Sequence, residues 1–188
     1  RLAFSTQPVG GLRGTPLTTQ PVVQAQDSNG ALAFGYSGSV TLALKPGTGT
    51  PGAVLSGTKV VALQGGAAAY SGLSVSRGGE GYVLTASGGG LAAGESAPFT
   101  MLPGVIRVST SGDDAQTGDA WATAKKTVQA AITAASPGDE VWVSAGVYTG
   151  SNALKPGVSL YGGFAGTETL RDERAPSAFD RAVQRDFR

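Results

Sequence analysis

Residues 137–143 read Pro-Gly-Asp-Glu-Val-Trp-Val, and residues 156–161 read Pro-Gly-Val-Ser-Leu-Tyr. Each run opens on a turn-forming Pro-Gly pair and continues as a short strand of β-branched, aromatic and aliphatic residues. The two repeat at about the length of one solenoid coil, which predicts stacked coils. Upstream, Val105 to Thr110 predicts a strand, Ser111-Gly112-Asp113-Asp114 a turn, and Lys125 to Ala135 an amphipathic helix with Val128, Ile132 and Ala135 on one stripe. Pro137-Gly138 ends that helix.

A break at Leu102-Pro103-Gly104 separates this pattern from a different one, so the chain is read as two modules, 1–103 and 104–188. From Leu2 to Met101, short segments alternate apolar and polar residues with period two, as in Val40-Thr41-Leu42-Ala43-Leu44 and Tyr82-Val83-Leu84-Thr85-Ala86. Turn signals punctuate them: Asp27-Ser28-Asn29-Gly30, Lys45-Pro46-Gly47, Gly65-Gly66, Arg77-Gly78-Gly79-Glu80-Gly81 and Gly88-Gly89-Gly90. About seven strands so spaced predict an antiparallel β-sandwich.

Composition agrees with a mostly β chain and removes several functions. The 188 residues include 30 Gly and 10 Pro, as expected of many short strands joined by tight turns. Charged residues are 14% of the chain and the formal net charge is +1, too weak a field to draw in nucleic acid or an anionic membrane. There is no Cys and no His, which excludes disulfides, thiolate metal sites and the commonest general base. No apolar run is long enough to insert across a bilayer as a helix. The chain opens at Arg1 without a signal peptide, which reads as a processed or excised product.

The first module resembles the immunoglobulin-like repeats of large bacterial surface proteins. The likeness is carried by Leu2-Ala3-Phe4-Ser5-Thr6-Gln7-Pro8, by Gln20-Pro21-Val22-Val23-Gln24-Ala25-Gln26-Asp27-Ser28-Asn29-Gly30 and by Ser71-Gly72-Leu73-Ser74-Val75. It implies a spacer or adhesive module with no catalytic residues to carry over. The second module resembles the start of the right-handed parallel β-helix of extracellular bacterial proteins. That likeness rests on Trp121-Ala122-Thr123-Ala124, the 137–143 run, Ala145-Gly146-Val147-Tyr148 and Leu160-Tyr161-Gly162-Gly163-Phe164-Ala165-Gly166-Thr167-Glu168. It implies one or two coils behind an N-terminal capping helix, and a cell-surface or secreted location.

Candidate chemistry is sparse. Asp113, Asp114 and Asp119 lie close in sequence and are the one candidate calcium site, though a solvated turn is preferred because the spacing lacks regular alternation and no glutamate completes it. Asp27 and Asn29 are read as a hairpin turn. Asp139 and Glu140 are adjacent on a strand and so point to opposite faces, which disqualifies them as a pair for sugar cleavage. Gly88-Gly89-Gly90 and Gly162-Gly163 lack the Lys-Ser or Lys-Thr of a phosphate loop. Tyr36, Tyr70, Tyr82, Trp121, Trp142, Tyr148 and Tyr161 offer rings for sugar stacking, but large rings in small β folds normally fill the core or rim. No catalytic or cofactor-binding residue is assigned.

The stretch from Thr167 to Arg188 gathers Arg171, Asp172, Glu173, Arg174, Asp180, Arg181, Arg185, Asp186 and Arg188. A short helix is expected there, capped by Ser177, with Phe179, Val183 and Phe187 on one face. Solenoids generally need three or more repeats, so an open coil end bearing Tyr161 and Phe164 is expected to seek a neighbour. The expected function is a non-catalytic structural or adhesive surface module that assembles through that end into filaments, with other copies or neighbouring domains as partners. The alternative is the N-terminal portion of a carbohydrate-binding or polysaccharide-degrading protein with glycans as partners; a third reading is a passive spacer.

Overall fold

Glycine turns cut the first half of the chain into many short strands. The computed structural model describes residues 1–175 and divides the chain into two units, Arg1–Pro103 and one beginning at Gly104. The first unit holds β1 (Leu2–Thr6), β2 (Val22–Ala25), β3 (Ser39–Leu44), β4 (Leu55–Ser56), β5 (Val60–Ala62) and β6 (Ala67–Ala69). It continues with β7 (Ser74–Val75), β8 (Gly79–Tyr82), β9 (Leu84–Gly88), β10 (Leu91–Glu95) and β11 (Phe99–Met101). The strands pair antiparallel, in sheets ordered β1-β2-β6, β10-β9-β3-β5, β11-β8 and β4-β7. There are more strands than the seven expected because several are only two or three residues long.

Period-two alternation decides which side chains enter the core. In β3, Val40 and Leu42 are buried while Ser39, Thr41 and Ala43 are exposed. Leu42 lies opposite Ala86 of β9, and these join Val23, Leu73, Val75, Tyr82, Leu84 and Met101 in one apolar cluster. Two polar side chains at this cluster are held by hydrogen bonds. The Tyr70 hydroxyl donates to Val40 O at 2.8 Å, and burial pushes its pKa up to about 12. Gln20 fastens the chain at both ends of its amide: Nε2 donates to Leu17 O and Leu73 O at 3.1 Å each, and Oε1 accepts from Leu73 N at 2.9 Å. Asp27 closes the turn read from the sequence, its Oδ1 accepting from the N–H groups of Asn29 and Ala31.

The second unit is built on parallel pairing. β12 (Val105–Val108), β13 (Glu140–Ser144) and β14 (Ser159–Phe164) form one sheet in that order. Glu140, Val141 and Trp142 stand opposite Ser159, Leu160 and Tyr161, a constant offset of 19 residues (159 − 140). The offset grows to 20 at Ser144 and Phe164 (164 − 144), because an extra residue in the Gly162-Gly163 stretch bulges β14. The preceding turns stack as the strands do. Gly138 N donates to Gly157 O at 2.6 Å, and a Cβ on Gly157 would lie 3.0 Å from Pro137 Cβ. With φ at +79°, Gly157 is held to glycine by space and backbone alike.

Helix α1 (Val128–Ala134) covers one face of this sheet, burying Val128, Ala131 and Ile132, and Ala135 just beyond them, against Ile106, Val108 and Val141. It begins three residues later than the expected Lys125. Lys125 is bound instead into a parallel bridge with Val108, its N–H donating to Arg107 O at 2.9 Å. Thr127 is the N-cap, its hydroxyl accepting from Ala130 N. Among the described residues no helix is long and apolar enough to cross a membrane.

Replacing Leu42 with Ala leaves a cavity between β3 and β9 and is expected to cost about 3 kcal/mol. Urea denaturation followed by far-UV circular dichroism checks this, and a loss well under 1 kcal/mol would contradict the packing described.

Candidate functional site

The face of the parallel sheet away from α1 is lined by arginines and aromatic rings. Arg107 of β12, Trp142 of β13 and Tyr161 of β14 are in register neighbours across the three strands. Trp142 stacks on Phe164 with centroids 4.7 Å apart and planes 8° from parallel, and Trp121 tilts against the same Phe164 ring at 5.8 Å. The Arg107 guanidinium lies 5.3 Å from the Trp142 ring centroid and 5.8 Å from that of Trp121. Burial lowers the Arg107 pKa, and the Asp119 charge opposes that shift. At the β14 end, Arg171 and Arg174 sit 5.2 and 5.3 Å from the Tyr161 centroid.

Glu140 ties this face together. Its Oε1 takes Arg171 Nη1 at 3.0 Å and its Oε2 takes Trp142 Nε1 at 2.7 Å, with the side chain only 13% exposed. Glu140 and then Tyr161 raise the Arg171 pKa, so the guanidinium stays charged. Asp139, its neighbour, is 1% exposed and serves the backbone, accepting from Gly104 N at 3.1 Å and Ser136 N at 2.7 Å. The two adjacent carboxylates therefore hold separate parts of the unit.

Two loops beside this face fold around charges of their own. Lys125, 8% exposed, donates from Nζ to the carbonyls of Asp114 and Gln116. Glu168, 9% exposed, accepts the backbone N–H groups of Ala165, Gly166 and Thr167. Burial pushes the Glu168 carboxyl up, but these donors outweigh it and bring the pKa below the ordinary value. Each loop also contains a 3₁₀ turn, Trp121–Thr123 and Arg171–Glu173, closed by its last side chain: the Thr123 hydroxyl accepts Ala120 N, and the Glu173 carboxylate accepts Thr169 N and Leu170 N. The chain then returns to a strand edge, at Lys125 beside β12 and at Ala175 beside β14, where Ala175 N donates to Gly163 O at 3.0 Å.

The calcium candidates do not converge on a common point. Asp113 accepts from Ala115 N; Asp114 accepts from Lys126 N, Thr127 N and the Thr127 hydroxyl; Asp119 accepts from the Thr117 and Thr123 hydroxyls. Among the described residues no three acidic, His or Cys side chains are grouped to hold a metal. Of the proposed assembly residues, Phe164 is fully buried between Trp142 and Trp121, so its ring is not available to a neighbour, and Tyr161 is half-buried beside two arginines. Phe179, Val183 and Phe187 lie outside the described residues. The edge of β14 expected to be open is occupied along its C-terminal part by Ala175 and by Arg174 Nη1 on Gly162 O.

Neither Lys125, which falls inside an amphipathic stretch that reads as helix, nor Arg107, set between two tryptophans 21 residues apart (142 − 121), carries a local signal of its role. Comparison with models of known protein families, with curated proteins and with solved structures finds no match.

The carboxylates of this unit set its response to acid. Thr127 N–H foremost holds Asp114 below its usual pKa, the Thr123 and Thr117 hydroxyls do so for Asp119, and Leu170 N–H and Thr169 N–H for Glu173, with Glu168 lowered as well. Native carboxyls that titrate lower than unfolded ones contribute stability that is complete above the unfolded values near about 4 and is lost as pH falls through the native ones. Both tryptophans, Trp121 and Trp142, belong to this unit, so fluorescence reports it alone. The urea midpoint so measured is expected to be level from neutral pH to about 5 and to fall below about 4; a midpoint unchanged in strong acid would refute the capping account. Added calcium is expected to leave the same midpoint where it is, and a rise on calcium would restore the metal reading of Asp113, Asp114 and Asp119.

Proposed function

We propose that this chain is a non-catalytic structural or adhesive module of a bacterial cell-surface or secreted protein, an immunoglobulin-like sandwich followed by a capping helix and the first coils of a parallel β-helix. The observation that carries the reading is the parallel pairing of β13 with β14 at a 19-residue offset over Glu140–Trp142, with one Pro-Gly turn seated on the next. Parallel strands stacked turn on turn are the unit that a solenoid repeats. The charged groups of the second unit support the non-catalytic half of the reading. Asp114, Asp119, Lys125, Asp139, Glu140 and Glu168 each hold a loop or a strand end, leaving none of them aimed into a cleft.

The aromatic content does not favour the glycan-binding alternative. Of the seven rings considered for sugar stacking, Tyr70, Tyr82 and Trp142 are buried and Tyr36, Trp121, Tyr148 and Tyr161 are half-buried, and a ring that stacks on a sugar must present its face to solvent. The segments returning beside β12 and β14 shorten the free sheet edges, which favours a module held in a longer protein over a subunit that polymerises through a coil end.

Two measurements test the proposal. Antibodies raised against the chain are expected to label intact source cells or their culture medium; labelling only after lysis would overturn the surface location. Incubation of the protein with neutral and acidic polysaccharides is expected to release no reducing ends, and release above that of a heat-denatured control would overturn the non-catalytic reading.

A further inference from the structure

Lys125 is 8% exposed, and its side chain is enclosed by the loop that precedes it. Its ammonium points into a turn of main-chain carbonyls, with Asp114 O at 3.0 Å and Gln116 O at 2.5 Å. The Asp114 carboxylate is close enough for the two charges to interact. The backbone of the same residue is locked to β12, its N–H on Arg107 O and its carbonyl accepting Ser109 N, both at 2.9 Å. The loop closes tightly over it: a Cβ on Gly112 would lie 2.4 Å from Lys125 O, and one on Gly118 would lie 3.4 Å from Lys125 Cγ. A residue at the end of one strand bridge thus reaches back to fix the loop that led to it.

Carbonyl oxygens turned inward on a positive charge, with a carboxylate nearby, are the surroundings a loop offers a hard metal cation. Here the cation is covalently attached. We propose that the 109–125 loop is a cation-binding loop whose cation is supplied by Lys125, and that truncating the side chain opens a site for a primary alkylammonium ion. A cation carried on the chain does not dissociate, so the tether holds the loop without a free ion having to bind. The inference rests on the loop geometry and stands apart from the surface-module reading.

The test uses the full chain carrying Lys125→Ala, with unfolding followed by tryptophan fluorescence. The thermal midpoint is expected to drop by on the order of 10 °C. Propylammonium, which replaces the lost carbons and the charge, is expected to recover at least half of the drop. Equal concentrations of tetramethylammonium or propanol are expected to recover little, because one cannot donate hydrogen bonds and the other carries no charge. An unshifted midpoint, or equal recovery by propanol, overturns the proposal. Should the variant fail to fold, reductive methylation of the native chain decides: Lys59 and Lys126, which are exposed, are expected to be modified while Lys125 is protected until urea unfolds the protein, and modification of Lys125 at their rate overturns it.

Discussion

The hydrogen bond from Gly138 N to Gly157 O seats one Pro-Gly turn on another, and the second unit is organised by the register it sets. Once the turns are stacked, β13 and β14 must run parallel at a fixed offset, and alternation along each strand then sends Val141 and Leu160 to one face and Trp142 and Tyr161 to the other. Parallel strands cannot be joined by a tight hairpin, so the connections have to cross the sheet. Helix α1 makes the first crossing and brings the apolar residues that cover Ile106, Val108 and Val141. The other face is left to arginine and aromatic side chains, which meet at guanidinium-to-ring distances of 5.2 to 5.8 Å.

Loops of this unit are fixed by buried charge in opposite senses. Lys125 places a cation among carbonyls, while Glu168 places an anion among N–H groups. A buried ion is costly unless hydrogen bonds compensate it, and here main-chain groups supply them, with the Asp114 carboxylate near enough to Lys125 to add a charge interaction. A chain without Cys has no disulfides to stiffen such loops, and these buried charges fix them by hydrogen bonds to the main chain instead.

Much of the architecture was legible because it is written in short-range signals. The Pro-Gly pairs at 137–138 and 156–157, the alternation in Val40–Leu44 and the Asp27–Gly30 turn each depend on neighbours in sequence, and each stands where it was expected. The strand count was underestimated because residue pairs such as Leu55–Ser56 and Ser74–Val75 are strands only through a partner about twenty residues away. The helix start was misplaced for a similar reason: Lys125 has good helix propensity, and its bridge to Val108 depends on a 17-residue loop (125 − 108) closing first. Phe164 was taken for an assembly residue at an open coil end, whereas the glycine bulge in β14 carries it to the Trp142 face, where the two rings stack and it is buried. Burial of the Lys125 ammonium could not be read at all, since a lone lysine in an amphipathic stretch is ordinarily solvated.

The central claim, a 19-residue parallel register, is tested most directly by disulfide trapping in a chain that has no native Cys. Val141→Cys with Leu160→Cys places two thiols on register partners of one face, whereas Val141→Cys with Tyr161→Cys places them on opposite faces. Mild oxidation of the folded protein is expected to close the first pair rapidly and intramolecularly and to leave the second reduced. Closure of the second pair in preference to the first would contradict the register, and with it the coil reading that the proposed function rests on.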